Sequence, residues 1–218
     1  MAQQSVGTVM LKNVRLSFAA LFEPDEQEND DGTIRHTFKA NFLIPKEGTD
    51  GYDEFAKANL AKISKAAAEA KAKKWGSDKS NWPKLRPDKL CLRDGDLEDW
   101  DGYADHHYLS SNSPEKRKPS TVTNRKDANN RWITAEEGEK GCPYSGCYVN
   151  ALVRIWVQDN KHGKRINASL ESVQFRADGE AFGAAPVDPN DIYDDDDVSE
   201  EGSWQEEGDG DDDDGGLI

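Results

Sequence analysis

The sequence predicts a mainly β domain, a small antiparallel barrel with one inserted helix at about residues 51–75, followed by a disordered acidic C-terminal tail. Three features carry that expectation. Apolar residues alternate with period two in several stretches, and in two of them the phase slips by one residue, as in a bulged strand that bends a sheet towards closure. Helical periodicity occurs once. Negative charge is concentrated at one end of the chain, where apolar residues are too few to form a core. Bent strands with a single helix describe a barrel more naturally than a layered α/β fold.

In chain order, Val9 and Leu11 share one phase and Val14, Leu16 and Phe18 the other, with the slip at Lys12-Asn13. A polar loop containing Asp25, Glu26, Glu28, Asp30, Asp31 and Gly32 is expected next. Phe38, Ala40, Phe42 and Ile44 then alternate with Thr37, Lys39, Asn41 and Leu43 in a second strand that Pro45 ends. Over 51–75 the apolar residues recur at three- and four-residue steps, with Asp50 as the cap and Asp53 and Glu54 suited to the positive end of the helix dipole. The polar face of this helix is rich in lysine. Short strands are expected at 90–93 and 103–109, and a mobile basic loop at 112–131. A hairpin over 147–158 and 164–176 closes the domain, its second strand changing phase between Leu170 and Val173.

The 218 residues carry 28 Lys plus Arg against 43 Asp plus Glu, a net charge of -15. Residues 188–218 hold 15 of the carboxylates and no basic residue, which leaves 28 acidic against 28 basic groups in 1–187. The domain is therefore read as 1–187 and the tail as 188–218. Within the domain, 55–93 carries +8, 94–105 carries -6 and 106–133 carries +4, so the surface is expected to be divided into fields of opposite sign. No run is long enough for a membrane span, and the N-terminus lacks a signal-peptide core, so a cytoplasmic location is expected. Three cysteines, Cys91, Cys142 and Cys147, do not make a disulfide framework.

The strand at 147–158 has a β-branched face (Val149, Ala151, Val153, Ile155, Val157) and an opposite face of Tyr148, Asn150, Leu152, Arg154 and Trp156. Aromatics interleaved with a cation on a sheet surface equip it to stack bases and pair phosphates, unless the helix or a loop covers them. Further aromatic and basic residues fall in the basic stretches: Lys79, Trp82, Arg93, Tyr103, His107, Tyr108, Arg117, Lys118, Arg125, Arg131 and Trp132. Together they fit a sequence-independent binder of single strands. The main alternative is a metal-dependent nuclease using the 94–107 cluster of Asp94, Asp96, Asp99, Asp101, His106 and His107. Cys142 and Cys147 with Cys91, His106 or His107 offer a weaker zinc pattern, since no second close cysteine pair exists. There is no Walker lysine motif, no nucleophile elbow and no dinucleotide fingerprint, so no catalytic residue and no cofactor are expected. A flexible polyanion of Asp211, Asp212, Asp213 and Asp214, ending in Leu217 and Ile218, is expected to compete for a basic groove and to recruit partner proteins.

At four places the chain resembles the phage single-stranded-DNA-binding proteins that combine an OB fold with an acidic tail. These are Gly146-Cys147-Tyr148-Val149-Asn150-Ala151, Ser172-Val173-Gln174-Phe175 ahead of Gly179-Glu180-Ala181-Phe182-Gly183, the opening Leu11-Lys12-Asn13-Val14-Arg15-Leu16-Ser17-Phe18, and the tail itself. The resemblance implies a five-stranded barrel and sequence-independent binding of single-stranded DNA in phage replication or recombination within the infected host cell. It also implies no cofactor, phage or host replication and recombination proteins as partners of the tail, and room for self-association along DNA. By position, Tyr148, Arg154 and Trp156 become groove residues. Tails of comparable proteins often end in an aromatic, whereas this one ends Leu217-Ile218 with Trp204 farther back.

Overall fold

The phase slip at Lys12-Asn13 is a β-bulge. The first strand, β1 (Thr8–Glu28), loses register between Leu11 and Val14, and Asn13 takes a positive φ of 52°. The computed structural model describes residues 7–28 and 32–182. After β1 come β2 (Ile34–Pro45), α1 (Glu54–Trp75), β3 (Leu92–Asp94), β4 (His106–Pro114), β5 (Ser120–Lys126), β6 (Trp132–Thr134), β7 (Tyr148–Asn160) and β8 (Gly163–Ala177), with single 3-10 turns between α1 and β4.

Five strands close on themselves. β4, β2, β1, β7 and β8 are successive antiparallel neighbours, and a parallel pairing of Asn112 in β4 with Ser169 in β8 joins the ends. Counting only these strands in chain order, the circuit runs 1-2-3-5-4, the Greek-key order of an OB barrel. β3 extends the sheet beside β4, while β5 runs parallel to β8 and carries β6. The interior is filled by the inward phases anticipated from sequence, among them Leu11, Leu16, Phe42, Ile44, Val153 and Leu170. In β8 the phase change is also a bulge, since Leu152 faces Ser172 and Val153 faces Leu170.

The cap of helix α1 lies three residues later than expected, because the Asp53 carboxylate, rather than that of Asp50, accepts the Ala56 amide at 2.8 Å. Its buried face includes a polar residue. Asn59 accepts the Lys12 amide at 3.0 Å and donates to the Lys12 carbonyl at 2.7 Å, replacing the ladder bonds that the bulge removes. One side chain thus ties the helix to the bulge.

Several expectations are corrected. The expected polar loop from Asp25 begins inside β1, whose residues 25–28 pair with 34–37 of β2. The segment 112–131 is not a mobile loop, because β4 runs to Pro114 and β5 lies along β8 with Thr121 and Thr123 buried. The strand expected at 103–109 begins only at His106, and that at 90–93 is shifted to Leu92–Asp94. Phe18 leaves the core phase, since its φ of 46° breaks the pleat and turns the ring outward. The stretch 188–218, with Asp211 to Asp214, Leu217 and Ile218, lies outside the described residues. No helix among the described residues is long and apolar enough to cross a membrane.

Candidate nucleic-acid interface

The outer face of β2 and β4 carries a stack of aromatic rings. Tyr103 and Tyr108 are buried with Leu43 in a small second core against which the half-buried Phe182 packs, the two tyrosine rings edge to face at 5.0 Å. The Tyr103 hydroxyl accepts from Asn41 at 2.8 Å and donates to Ser17 at 3.3 Å, and the Tyr108 hydroxyl donates to Glu98 at 2.5 Å. Burial, reinforced by the Glu98 carboxylate, pushes the Tyr108 phenol up to about 12. The expectation that these two tyrosines stack on bases is therefore corrected, because neither offers an open face.

They instead support two rings that do. Trp100 meets Tyr103 at 5.0 Å and Phe18 at 5.0 Å, both edge to face. Phe18 is 45 % and Trp100 43 % exposed. Beside them a cleft of about 270 Å³ is bordered by Lys39, Asn41, Ser110 and Asn112. Lys39 is ion-paired with Asp25 in a part-exposed pair whose carboxylate a phosphate can replace, and stacking rings, a cation and uncharged hydrogen-bonding groups are what an unpaired strand needs. The face lies on the second and third strands of the barrel, where OB folds take oligonucleotides.

The loop that presents Trp100 is held by Lys46. Its ammonium bonds the Asp94 carboxylate and lies 2.6 Å from that of Asp96, while Asp96 also accepts the Asp105 amide at 2.7 Å. Partial burial works against the Lys46 charge, yet these bonds raise its pKa, and they hold both carboxyls below the ordinary 3.8. Carboxyls depressed on folding stabilise the fold above their unfolded pKa, and the contribution is lost as pH falls through the folded value. Acidification below 3.8 should therefore loosen this loop. In urea titrations at neutral and acid pH, Lys46→Met should lower stability at neutral pH and lose less on acidification than the parent.

Gly95 belongs to the same loop. A Cβ there would lie 2.2 Å from the Tyr103 carbonyl oxygen and 2.6 Å from that of His106, both main-chain atoms with no room to yield. Gly95→Ala should lower the thermal midpoint and the exposed-tryptophan signal together, as read by fluorescence-detected melting.

The other sequence-derived candidates are dispersed. Arg93 is half-buried beside Tyr108, its Nε donating to the Leu90 carbonyl at 2.9 Å. It lines a smaller hollow at the β4–β8 seam with Lys89, Arg165 and Asn167, and that hollow shares Ser110 and Asn112 with the Phe18–Trp100 cleft. Arg154 and Trp156 lie one strand past the seam. Arg154 pairs with Glu171 at 3.1 Å, and the Trp156 indole N–H bonds Ser169, the partner of Asn112. Arg117 reaches the same Glu171 at 3.8 Å, and Lys118 lies 5.8 Å over the Phe22 ring. Tyr148 is exposed on the far side of Arg15, whose guanidinium covers Phe182.

His107 is half-buried in the ladder between Ile44 and Asp94. Arg125, Arg131 and Trp132 are exposed around the β5–β6 hairpin, with Lys126 4.7 Å over the Trp132 ring. Lys79 is exposed after α1, and Trp82 packs half-buried beside the helix. Of the candidates, only Arg93 reaches the seam hollow that adjoins the β2–β4 cleft.

The nuclease reading loses its basis. Asp94 and Asp96 are occupied by Lys46 and main-chain amides, Glu98 by Tyr108, and His106 Nδ1 lies 2.7 Å from the Ala104 carbonyl oxygen. Among the described residues no three His, Cys, Asp or Glu side chains converge on an ion-sized site. Cys91 and Cys147 are buried, which pushes both thiols up to about 11.

Phe18, Lys39, Asn41, Trp100, Ser110 and Asn112 were not singled out from sequence. Lys39 and Asn41 were visible as the polar phase of β2, a usable signal. Trp100 stands in the 94–105 segment, whose charge of -6 gives no sign of a DNA contact.

The sequence model of the family described as the ssDNA-binding protein of Enterobacter phage Enc34 matches residues 7–202. Protein p50 of Acyrthosiphon pisum secondary endosymbiont phage 1 is 40% identical over 199 residues, covering 88% of this chain and 96% of that protein. The single-stranded DNA-binding protein of bacteriophage Enc34 in complex with ssDNA superposes with a TM-score of 0.61 at 26% identity, over 82% of this chain and 91% of that one. A second structure of the Enc34 protein gives 0.60 at 27% identity, over 87% and 92%. With its barrel order and a family match spanning most of its length, the chain belongs to the Enterobacter phage Enc34 ssDNA-binding protein family.

Proposed function

We propose that the chain binds single-stranded DNA without sequence preference in the groove across β2 and β4, covering strands exposed during phage replication or recombination in the infected cell. The exposed Phe18–Trp100 pair, fixed from below by Tyr103 and bordered by Lys39, carries this reading most directly. Bases stack on the two rings, Asn41, Ser110 and Asn112 hydrogen-bond the strand, and Lys39 and Arg93 meet phosphates. Arg154 and Trp156 lie outside this groove, one strand past the β4–β8 seam. The Enc34 relative has been described bound to ssDNA.

The 15 carboxylates of 188–218 compete for the same cations, and DNA displaces them, freeing Leu217 and Ile218 for partner proteins. Fluorescence anisotropy with oligo-dT tests both parts. Affinity should fall steeply with salt, each phosphate contact adding about 0.7 to the log–log slope, and removal of 188–218 should tighten binding. Absence of binding by the tail-deleted protein at low salt would refute the reading.

A further inference from the structure

The hollows continue past the seam. A third, of about 260 Å³, lies where α1 meets the barrel, with Ile63, Ala67 and Lys71 on one wall and Trp82, Leu92 and Ile166 on the other. Leu90, Cys91 and Ile166 line both this hollow and the seam hollow, which in turn shares Ser110 and Asn112 with the Phe18–Trp100 cleft. The three hollows are therefore neighbours, in a row from β2 across β4 to α1.

The far end of the row has the same ingredients as its near end. The Trp82 indole N–H donates to the Gly76 carbonyl at 2.9 Å, which pins the ring at the helix C-cap and satisfies its polar edge. The Lys71 ammonium lies 5.4 Å from the ring centroid. Between the two ends stand Lys89, Arg93 and Arg165. Asp88, the carboxylate among the seam residues, is already engaged by Arg86 at 2.7 Å and Lys89 at 2.8 Å.

We infer that Trp82 and the hollow beneath α1 form a second base-binding subsite, which takes a nucleobase of the same single strand after it crosses the β4–β8 seam. This rests on the groove reading above. Adjacency to that groove favours DNA as the occupant, and so does the charge of the approach, since an apolar peptide would leave Arg93 and Arg165 without counter-charge, Lys89 being paired with Asp88. The base lies against the pinned indole and its flanking phosphates meet Lys71 and Arg165.

The test uses the full chain and dT oligomers of two lengths, about 4 and about 12 nucleotides, both within the range of OB-fold site sizes. Trp82→Leu should leave the affinity for the short oligomer unchanged and lower that for the long one by about 5- to 150-fold, the range for one stacked base. Trp82→Phe, which loses the Gly76 hydrogen bond but keeps an aromatic face, should restore most of the long-oligomer affinity. Equal behaviour of the Leu and Phe variants, or an equal loss at both lengths, would overturn the subsite. So would unchanged DNA binding with lost binding of a peptide covering 209–218, which would make the hollow a peptide site. Trp100→Ala serves as the companion variant: if it changes neither length, the groove reading itself fails, whereas a loss there with Trp82→Leu unaffected removes only the subsite.

Discussion

Replacing Trp100 with alanine should lower the affinity for oligo-dT by about 5- to 150-fold, and the Phe18→Ala, Trp100→Ala double variant should bind more weakly still. The magnitude follows from base–aromatic stacking at about 1–3 kcal/mol per base, converted at about 1.4 kcal/mol per decade. The rings touch at 5.0 Å, so their contributions should couple, and the double loss should differ from the sum of the single ones. Both side chains are more than two-fifths exposed, so truncation removes little core. Anisotropy titrations at fixed salt read the affinity, and urea denaturation of the same variants should show a much smaller change. If Trp100→Ala lost affinity only in proportion to lost stability, the ring would be a structural cover for Tyr103 and not a stacking platform.

Tyr103→Ala should show the opposite balance. The side chain is fully buried, meets Phe18, Trp100 and Tyr108, and closes a hydrogen-bonded chain from Asn41 to Ser17. Truncating a buried aromatic costs about 3–5 kcal/mol, and the Asn41 amide loses its acceptor in the same step. Urea denaturation should register this as a large fall in midpoint with little change in slope. DNA affinity should also fall in whatever fraction stays folded, because Phe18 and Trp100 lose their floor. Tyr103→Phe separates the two effects: it keeps the floor and removes only the hydroxyl, at about 1 kcal/mol.

How much of this was legible depends on which physical signal each residue leaves in the sequence. The bulge at Lys12-Asn13 and the one in β8 could be read because a half-buried strand must alternate, and a slip in the alternation has to be absorbed somewhere. Asn59 could not, since a polar residue on the apolar side of a helix looks like a break in the pattern until its partner, the Lys12 peptide, is known. β5 was missed because Thr121-Val122-Thr123-Asn124-Arg125-Lys126 lacks strong apolar alternation, and its pairing is with β8, far along the chain.

The proposed groove shares residue types, but few residues, with the candidates read from the sequence. Tyr103 and Tyr108 have the chemistry of stacking residues, and they do form a ring stack. Burial makes them its foundation, while Phe18 and Trp100 form the exposed part. What places Phe18 there is a backbone reversal at its own φ, and what places Trp100 is a loop whose carboxylates are tied to Lys46. Neither can be inferred from residue type. Whether the β7 face of Tyr148 and Trp156 is covered was open in the sequence; both rings are exposed, on a neighbouring wall of the barrel.

The groove assignment is tested most directly by backbone amide chemical-shift mapping of the labelled protein during titration with oligo-dT. The account predicts the largest shifts at Phe18, Lys39, Asn41, Trp100, Ser110 and Asn112. Shifts confined to the β7 face around Tyr148 and Trp156, with β2 and β4 silent, would contradict it.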